Sequence, residues 1–208
     1  MLGGGDIIPK KQTVGHVTII SLASQIYDKH KVTMDPAKYT YPWPLAGYEN
    51  AEPIPEVKQQ DKSIANPQSG ILSPAYSSFT SGLDNGRRGG FDIHVYYNHY
   101  DEEETKWARA LYDRIRREFP ELRIYKFWDR PVGPHFIAMF EVNLMTPAQF
   151  GAFVPWLAIE RGPLSVLIHP NTVDAEGKET EEERNHTQRA IWMGERLPIR
   201  TGIFSEEH

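Results

Sequence analysis

Four histidines in the second half of the chain lie in or beside short runs of apolar and aromatic residues. They are His94 in FDIHVYY, His135 in VGPHFIAMFEV, His169 in LSVLIHPNT and His186 in RNHTQRAIW. Neutral imidazole is the commonest metal ligand among protein side chains. The first three histidines each lie in or beside a run that is typical of a β-strand. One sheet could therefore bring two or three of them to a single metal ion.

Two carboxylates could complete such a site as a two-histidine, one-carboxylate triad, which holds Fe(II) and leaves positions open for oxygen and substrate. Asp92 shares a strand face with His94, because side chains alternate along a strand. Glu141 shares a face with His135, but six residues of regular strand would separate them by about 20 Å. Those two side chains could not then bind the same ion. The chain has no cysteine, which excludes thiolate ligands and disulfides.

The charge and composition of the chain argue against several classes of function. The 208 residues carry a formal net charge of -5, whereas binding to nucleic acid or to anionic membranes favours a basic surface. No apolar run approaches the roughly 20 residues of a membrane span. Motifs for dinucleotide binding, phosphate binding, zinc proteases and serine hydrolases are absent from the sequence. The lack of cysteine and of a convincing signal peptide favours a cytoplasmic location.

The predicted elements of the second half follow the order strand, helix, strand, strand, helix, strand. Strands are predicted at residues 91–97, 123–127, 136–143 and 164–169, and helices at 102–119 and from 147 to about 161. This order predicts an α+β fold, a ferredoxin-like βαββαβ sandwich in which both helices cover one face of an antiparallel sheet. A short apolar element at 190–193 would add a strand, and the acidic segment 173–184 is predicted to be a polar loop.

The first 86 residues are predicted to form an N-terminal extension. Frequent prolines between residues 35 and 74 oppose regular structure, yet YTYPWPLAGYENAEPIPE carries too many aromatic residues for a plain disordered linker. We therefore expect an irregular arm that packs on a domain formed by residues 87–208, with residues 14–27 as either strand or helix. A second subunit, the arm or the C-terminal tail must cover the open face of the sheet, and we expect a homodimer.

Four separated motifs resemble, in their order and spacing, the DOPA 4,5-dioxygenase family of fungi and bacteria. They are FDIHVYY, ELRIYKFWDRPVGPHFIAMFEV, QFGAFVPWLAIERGPLSVLIHPNT and NHTQRAIWMGERLPI, which together span roughly residues 87–200. The resemblance implies a ferredoxin-like α+β fold and a non-haem Fe(II) centre, in which a purified sample could carry zinc. It also implies extradiol ring opening of a catechol, such as L-DOPA, with O₂.

The resemblance maps the histidines of the family onto His94, His135, His169 and His186. From it we expect His94, His135 and His169 to bind the metal, with His94 also counted among the catalytic residues. We expect His186 to act as the acid/base from a loop that closes over the substrate. An exchange of roles between His186 and one of the three ligands stays open. Many relatives have His-x-His in the first strand where this chain has Asp92, so a metal-binding role for Asp92 also stays open.

Three further side chains, Arg130, Tyr96 and Trp156, are expected to contact the substrate. The carboxylate of a catechol amino acid requires a cation, and Arg130 is the candidate. Two other functions remain as alternatives. One is a non-catalytic ferredoxin-like module, dimeric or not, that holds a metal or a small aromatic ligand. The other is an oxygenase of the same architecture that uses its histidines as acid and base without a cofactor.

Overall fold

The structure is a computed structural model that describes residues 38–67, 70–83 and 89–205 of the chain. The expectation for residues 14–27 and the predicted boundary between residues 86 and 87 lie outside the described residues. The division into an arm and a domain therefore stays a prediction. Within the described ranges, no helix is both long enough and apolar enough to cross a membrane.

Five strands and three α-helices form the framework of the part of the chain that the structure describes. In chain order they are β1 (Phe91–Tyr97), α1 (Glu102–Glu118), β2 (Arg123–Ile124), β3 (Ala138–Leu144), α2 (Pro147–Glu160), β4 (Ser165–Pro170), α3 (Glu182–His186) and β5 (Ile191–Met193). Asp101 caps α1 by accepting hydrogen bonds from the backbone N–H groups of Glu103 and Glu104. Thr146 caps α2, with Pro147 in the first turn. Both helices therefore begin where the sequence predicts.

All five strands belong to one antiparallel sheet with the order β2-β3-β1-β4-β5. The central strand β1 has β3 on one side and β4 on the other, so the first and last strands of the βαββαβ unit are neighbours. This arrangement confirms the predicted α+β ferredoxin-like sandwich. β5 pairs with β4 and adds the expected extra strand at the edge.

The second strand is shorter than predicted, because the chain bulges after Ile124. The backbone N–H of Tyr125 donates to the carbonyl of Glu141, and that of Trp128 donates to the carbonyl of Met139. The three residue steps from Tyr125 to Trp128 are therefore matched by only two steps from Glu141 to Met139, which is the pattern of a β-bulge. The bulge ends regular pairing, so β2 stops at residue 124 instead of 127.

The third strand begins later than predicted, at Ala138 instead of residue 136. The backbone N–H of His135 donates to the carbonyl of Val132 at 3.1 Å, so the chain still turns at this point. His135 therefore lies in the loop before β3 and not in the strand itself.

The tail at residues 173–184 also differs from the expected loop. An antiparallel bridge joins Val173 to Glu179, and α3 begins at Glu182. His186 is the last residue of this short helix. The expectation that His186 lies on a loop is therefore wrong.

Different parts of the chain cover the two faces of the sheet. Helices α1 and α2 pack on the face that carries Ile93 and Val95, and the apolar side chains between these layers form the main core. The opposite face carries Tyr96 and Leu167, and the C-terminal residue Ile199 packs against them. The C-terminal tail thus covers the face that the helices leave open. A homodimer stays a prediction, but this face does not require a partner subunit to bury it.

The described part of the arm contacts the rest of the chain near both of its ends. The hydroxyl groups of Tyr39 and Thr187 are 3.3 Å apart, and the guanidinium of Arg184 lies 5.0 Å from the centre of the Tyr39 ring. At the other end, the ring of Phe79 packs edge-on against Phe91, with 5.4 Å between the ring centres. Between these contacts, many large apolar side chains of the arm are exposed.

Candidate metal site and cavity

The register of the sheet places polar side chains in two rows on the face opposite the helices. Asp92 on β1 lies opposite Asn143 on β3 and His169 on β4. In the next row, His94 on β1 lies opposite Glu141 on β3. Residues directly opposite each other in antiparallel strands point to the same face. The central strand therefore brings two histidines and two carboxylates from three strands onto one patch.

Two further histidines reach this patch from outside the sheet. His135 lies in the loop before β3, where Gly133 has a φ of 56°, a conformation that favours glycine. The ring centre of His135 is 4.2 Å from that of His94. The ring of His186, at the end of α3, has its centre 3.9 Å from that of His169. All four histidines are buried, so the structure brings together the whole set that the sequence singled out.

Three of these rings offer a nitrogen to a common space. Among the described residues, one nitrogen from each of His94, His169 and His186 lies within 4.8 Å of the other two. The Nε2 atoms of His94 and His169 are 3.0 Å apart. The Nδ1–H of His169 donates to the carbonyl of Pro170 at 3.1 Å, and the Nδ1–H of His186 donates to the carbonyl of Glu182 at 2.9 Å. These bonds orient both rings and leave Nε2 as the nitrogen that can bind an ion.

Asp92, His94 and Glu141 form a second group whose potential ligand atoms also lie within 4.8 Å of one another. The side-chain amide of Asn143 donates to Asp92 at 2.6 Å and to Glu141 at 2.8 Å. The amide of Asn171 donates to Asp92 at 2.8 Å. His94 Nδ1 lies 4.0 Å from Glu141 Oε2 and has no hydrogen-bond partner in the described chain. His94 therefore belongs to both groups.

His135 contacts a different partner. Its Nδ1 atom shares a hydrogen bond of 2.7 Å with the hydroxyl of Tyr96, which is buried beside the ring of Trp192. The expectation that His135 and Glu141 are too far apart for one site assumed a regular strand through both. The turn before β3 removes that regularity, and both side chains line the same cavity. Through its hydrogen bond to Nδ1, Tyr96 orients the ring of His135 in this cavity.

Burial favours the neutral forms of His94 and His135. Burial has the largest effect on His94 and lowers its pKa well below 6.5. The neighbouring His135, His169 and His186 lower this pKa further. Burial and then His186 lower the pKa of His135 to about 3. Burial also raises the pKa of the Tyr96 phenol well above 10.0. Neutral imidazole is the form that binds metals, so these histidines suit a cation.

The four histidines line a cavity of about 360 Å³, within the size range of small-molecule sites. Val132, Met139 and Phe204 contribute apolar walls, and the phenol of Tyr125 also lines the cavity. Sequence reasoning missed all of these residues. Tyr125 follows β2 at the bulge, and Phe204 returns from the C-terminal end of the chain. Neither position carries a motif, so no signal in the sequence could have identified them.

Two residues that were expected to contact the substrate lie elsewhere. Arg130 is exposed in the loop after β2 and is not among the described residues that line the cavity. Trp156 is on α2, in the helical layer on the other side of the sheet. Its ring packs against Phe119, and its indole N–H donates to Glu118 at 3.0 Å. The structure brings neither side chain to the histidines.

Comparisons with known proteins identify a matching family and several relatives. A model of the Dopa 4,5-dioxygenase family matches residues 91–203. A protein of Botryotinia fuckeliana, described only as an uncharacterized 21.2 kDa protein, is 62% identical over 166 residues, which cover 79% of this chain and 91% of that protein. A DOPA 4,5-dioxygenase of Amanita muscaria is 30% identical over 112 residues, 51% of this chain and 46% of that protein. A solved structure from Nostoc punctiforme, described as a candidate dioxygenase, has 28% identity and a TM-score of 0.45, and the match covers 56% of this chain and 90% of that chain.

Proposed function

The chain belongs to the Dopa 4,5-dioxygenase family, and from this premise we propose that it is an extradiol dioxygenase. The proposed reaction opens the ring of a catechol, such as L-DOPA, with O₂ at a non-haem Fe(II) centre. The observation that carries the proposal is the convergence of nitrogens from His94, His169 and His186 in a cavity that can hold a small molecule. The match to the family and the similarity to the Amanita enzyme support dioxygenase chemistry.

The donor set fits a metal such as iron or zinc. Two imidazole nitrogens that bind one ion at about 2.1 Å lie roughly 3 Å from each other, and the Nε2 atoms of His94 and His169 are 3.0 Å apart. Burial also favours the neutral, ligating form of His94. We therefore assign His94, His169 and His186 as the residues that would hold the ion. When bound, Fe(II) supplies open coordination positions and redox chemistry with O₂.

This assignment exchanges the roles that the sequence suggests for His135 and His186. His186 uses Nδ1 to donate to a backbone carbonyl, and one of its ring nitrogens lies within 4.8 Å of nitrogens of His94 and His169. His135 instead has its Nδ1 atom held by the hydroxyl of Tyr96. We assign the phenol as the donor in this bond, which places the ring proton of His135 on Nε2.

His135 then has a defined role toward the substrate. Its pKa of about 3 keeps the ring neutral at physiological pH, so the Nε2–H group acts as a hydrogen-bond donor. We propose that it donates to a substrate oxygen that gains negative charge during ring opening. Met139, Val132 and Phe204 give part of the cavity that His135 lines an apolar wall. A hydrogen bond in such surroundings is stronger than in bulk water.

Anaerobic loading with Fe(II), followed by L-DOPA, caffeate or catechol under air, tests the proposal. Extradiol opening predicts consumption of O₂ together with a yellow semialdehyde product, and His94→Ala should abolish both. His99→Ala, which removes a histidine that does not line the cavity, is the matched control. Tight zinc binding without turnover of any catechol would favour the non-catalytic module. Turnover that survives a strong chelator would favour an oxygenase that needs no metal.

A further inference from the structure

The helix that carries His186 is too short to be stable by itself. α3 has five residues (Glu182–His186), whereas isolated helices of fewer than about 12 residues are marginal in water. The helix follows Glu181, which has a left-handed backbone with a φ of 53° and makes no side-chain capping hydrogen bond. Contacts with other segments must therefore hold α3, and with it the ring of His186, in place.

One set of these contacts comes from the chain that follows β4. The buried side-chain amide of Asn185 donates to the hydroxyl oxygen of Thr172 at 2.8 Å and to the carbonyl of Thr180 at 3.2 Å. These bonds tie one side of α3 to the tail. Arg184 lies elsewhere on the same helix, and its partners include the N-terminal arm.

The guanidinium of Arg184 joins three consecutive arm residues to the start of α3. It lies 5.0 Å from the centre of the Tyr39 ring and 5.5 Å from that of Tyr41, and it donates to the carbonyl of Thr40 at 3.1 Å. It also donates to the carboxylate of Glu181 at 2.9 Å. The side chain of Arg184 is only 14% exposed, and cation–π contacts are stronger when water is excluded.

Two further contacts join the arm to this region. The hydroxyl groups of Tyr39 and Thr187 are 3.3 Å apart, and Thr187 is buried and directly follows His186 in the chain. Lys38 forms an ion pair with Glu183, but both side chains are partly exposed, and exposed ion pairs contribute little to stability. The tyrosine contacts are therefore the main attachment of the arm.

We propose that residues 39–41 of the arm position His186 for the metal, so that metal affinity depends on a segment outside the region that matches the family, residues 91–203. Tyr39, Tyr41 and Arg184 are positioning residues. None of them is among the described residues that line the histidine cavity, and they act through the backbone of α3. The inference rests on the proposed metal site and extends it to the arm.

The zinc affinity of the double variant Tyr39→Ala/Tyr41→Ala tests this role, because the variant removes both rings and leaves the sequence of α3 unchanged. We expect the affinity to fall by about tenfold, as for residues that support a ligand. Tyr39→Phe keeps the ring beside Arg184 and should retain most of the affinity. Trp43→Ala/Tyr48→Ala removes two exposed aromatic side chains elsewhere in the arm and is the matched control.

The same double substitution in the His186→Ala protein identifies the path of the effect. An arm that acts through His186 should cause no further loss of zinc affinity once this ring is absent. A general loss of folded structure would instead lower the affinity equally in both backgrounds, and thermal unfolding monitors it. Equal losses in the two backgrounds, or unchanged affinity in the variant that keeps His186, would overturn the inference.

Hydrogen exchange of the metal-free protein separates this inference from the proposed function. The backbone N–H of Asn185 donates to the carbonyl of Glu181 at 2.9 Å. It should exchange about tenfold faster in Tyr39→Ala/Tyr41→Ala, while the amides of β1 keep their protection. Faster exchange in α3, in a chain whose native form binds no zinc or iron, would contradict the metal site and not the coupling of the arm to α3. Metal-dependent turnover, with exchange and zinc affinity both unchanged in the variant, would contradict the inference about the arm alone.

Discussion

His94 and Glu141 lie directly opposite each other on β1 and β3, with Nδ1 of the histidine 4.0 Å from a carboxylate oxygen. The Nε2 atom of the same ring lies 3.0 Å from Nε2 of His169. The imidazole of His94 on the central strand therefore lies between His169 on one side and Glu141 on the other. The proposed metal site depends on this ring.

Replacement of His169 or His186 by alanine should remove tight metal binding, because each supplies one of three converging nitrogens. We expect metal affinity to fall by more than about 100-fold, beyond the 10–100-fold typical of residues that only support a ligand. His135→Ala should retain the metal. Competition with a chromogenic chelator measures these affinities, with His99→Ala as control. Loss of metal in His135→Ala together with its retention in His186→Ala would contradict the assignment and favour the ligand set expected from the sequence.

The hydrogen bond between Tyr96 and His135 predicts coupled effects on turnover. His135→Gln should lower kcat by about 10²–10³-fold, as expected for loss of a donor to developing charge, while metal content stays the same. Tyr96→Phe should lower kcat by about tenfold, because the ring of His135 loses the group that orients it. In the His135→Gln protein, Tyr96→Phe should cause no further loss, since the tyrosine acts through the histidine. Oxygen consumption and metal content measure these effects, and independent, additive losses would be evidence against the coupling.

The buried histidines should make the stability of the metal-free protein depend on pH. The pKa of His135 is 6.5 as a model value and about 3 in the folded protein, so below pH 6.5 the unfolded chain binds a proton that the folded chain does not. The free energy of unfolding is therefore highest above pH 6.5 and decreases as the pH falls toward 3, by up to about 1.4 kcal/mol per pH unit for this histidine. The lowered pKa of His94 acts in the same direction.

Urea unfolding of the metal-free protein at several values between about pH 7.5 and pH 5 measures this dependence. The slope should be smaller in His135→Gln, which removes one titrating group. Stability that increases on acidification across this range would show that the histidines are not held neutral by burial.

The alternation of side chains in FDIHVYY was sufficient to predict that Asp92, His94 and Tyr96 share a face, because side-chain direction along a strand is a local property. The caps at Asp101 and Thr146 are local as well, and the helices begin there. The element order then led to the correct sheet, since few topologies accommodate βαββαβ.

The detailed site could not be predicted, because it depends on contacts between distant segments. The Nε2 atoms of His94 and His169 are 3.0 Å apart although the residues are 75 positions apart in the chain, which requires the register of β1 and β4. The apolar run after His135 indicates a strand, but a turn at Val132 keeps this histidine outside it. The polar sequence before His186 indicates a loop, whereas it forms α3 and brings the ring against His169.

The most direct test of the metal assignment is anomalous diffraction at the iron edge from crystals loaded anaerobically with Fe(II). We predict a single strong peak inside the cavity, about 2.1 Å from a ring nitrogen of each of His94, His169 and His186. A peak bound by His135 in place of His186, a peak outside the cavity, or no peak from fully loaded protein would contradict the assignment.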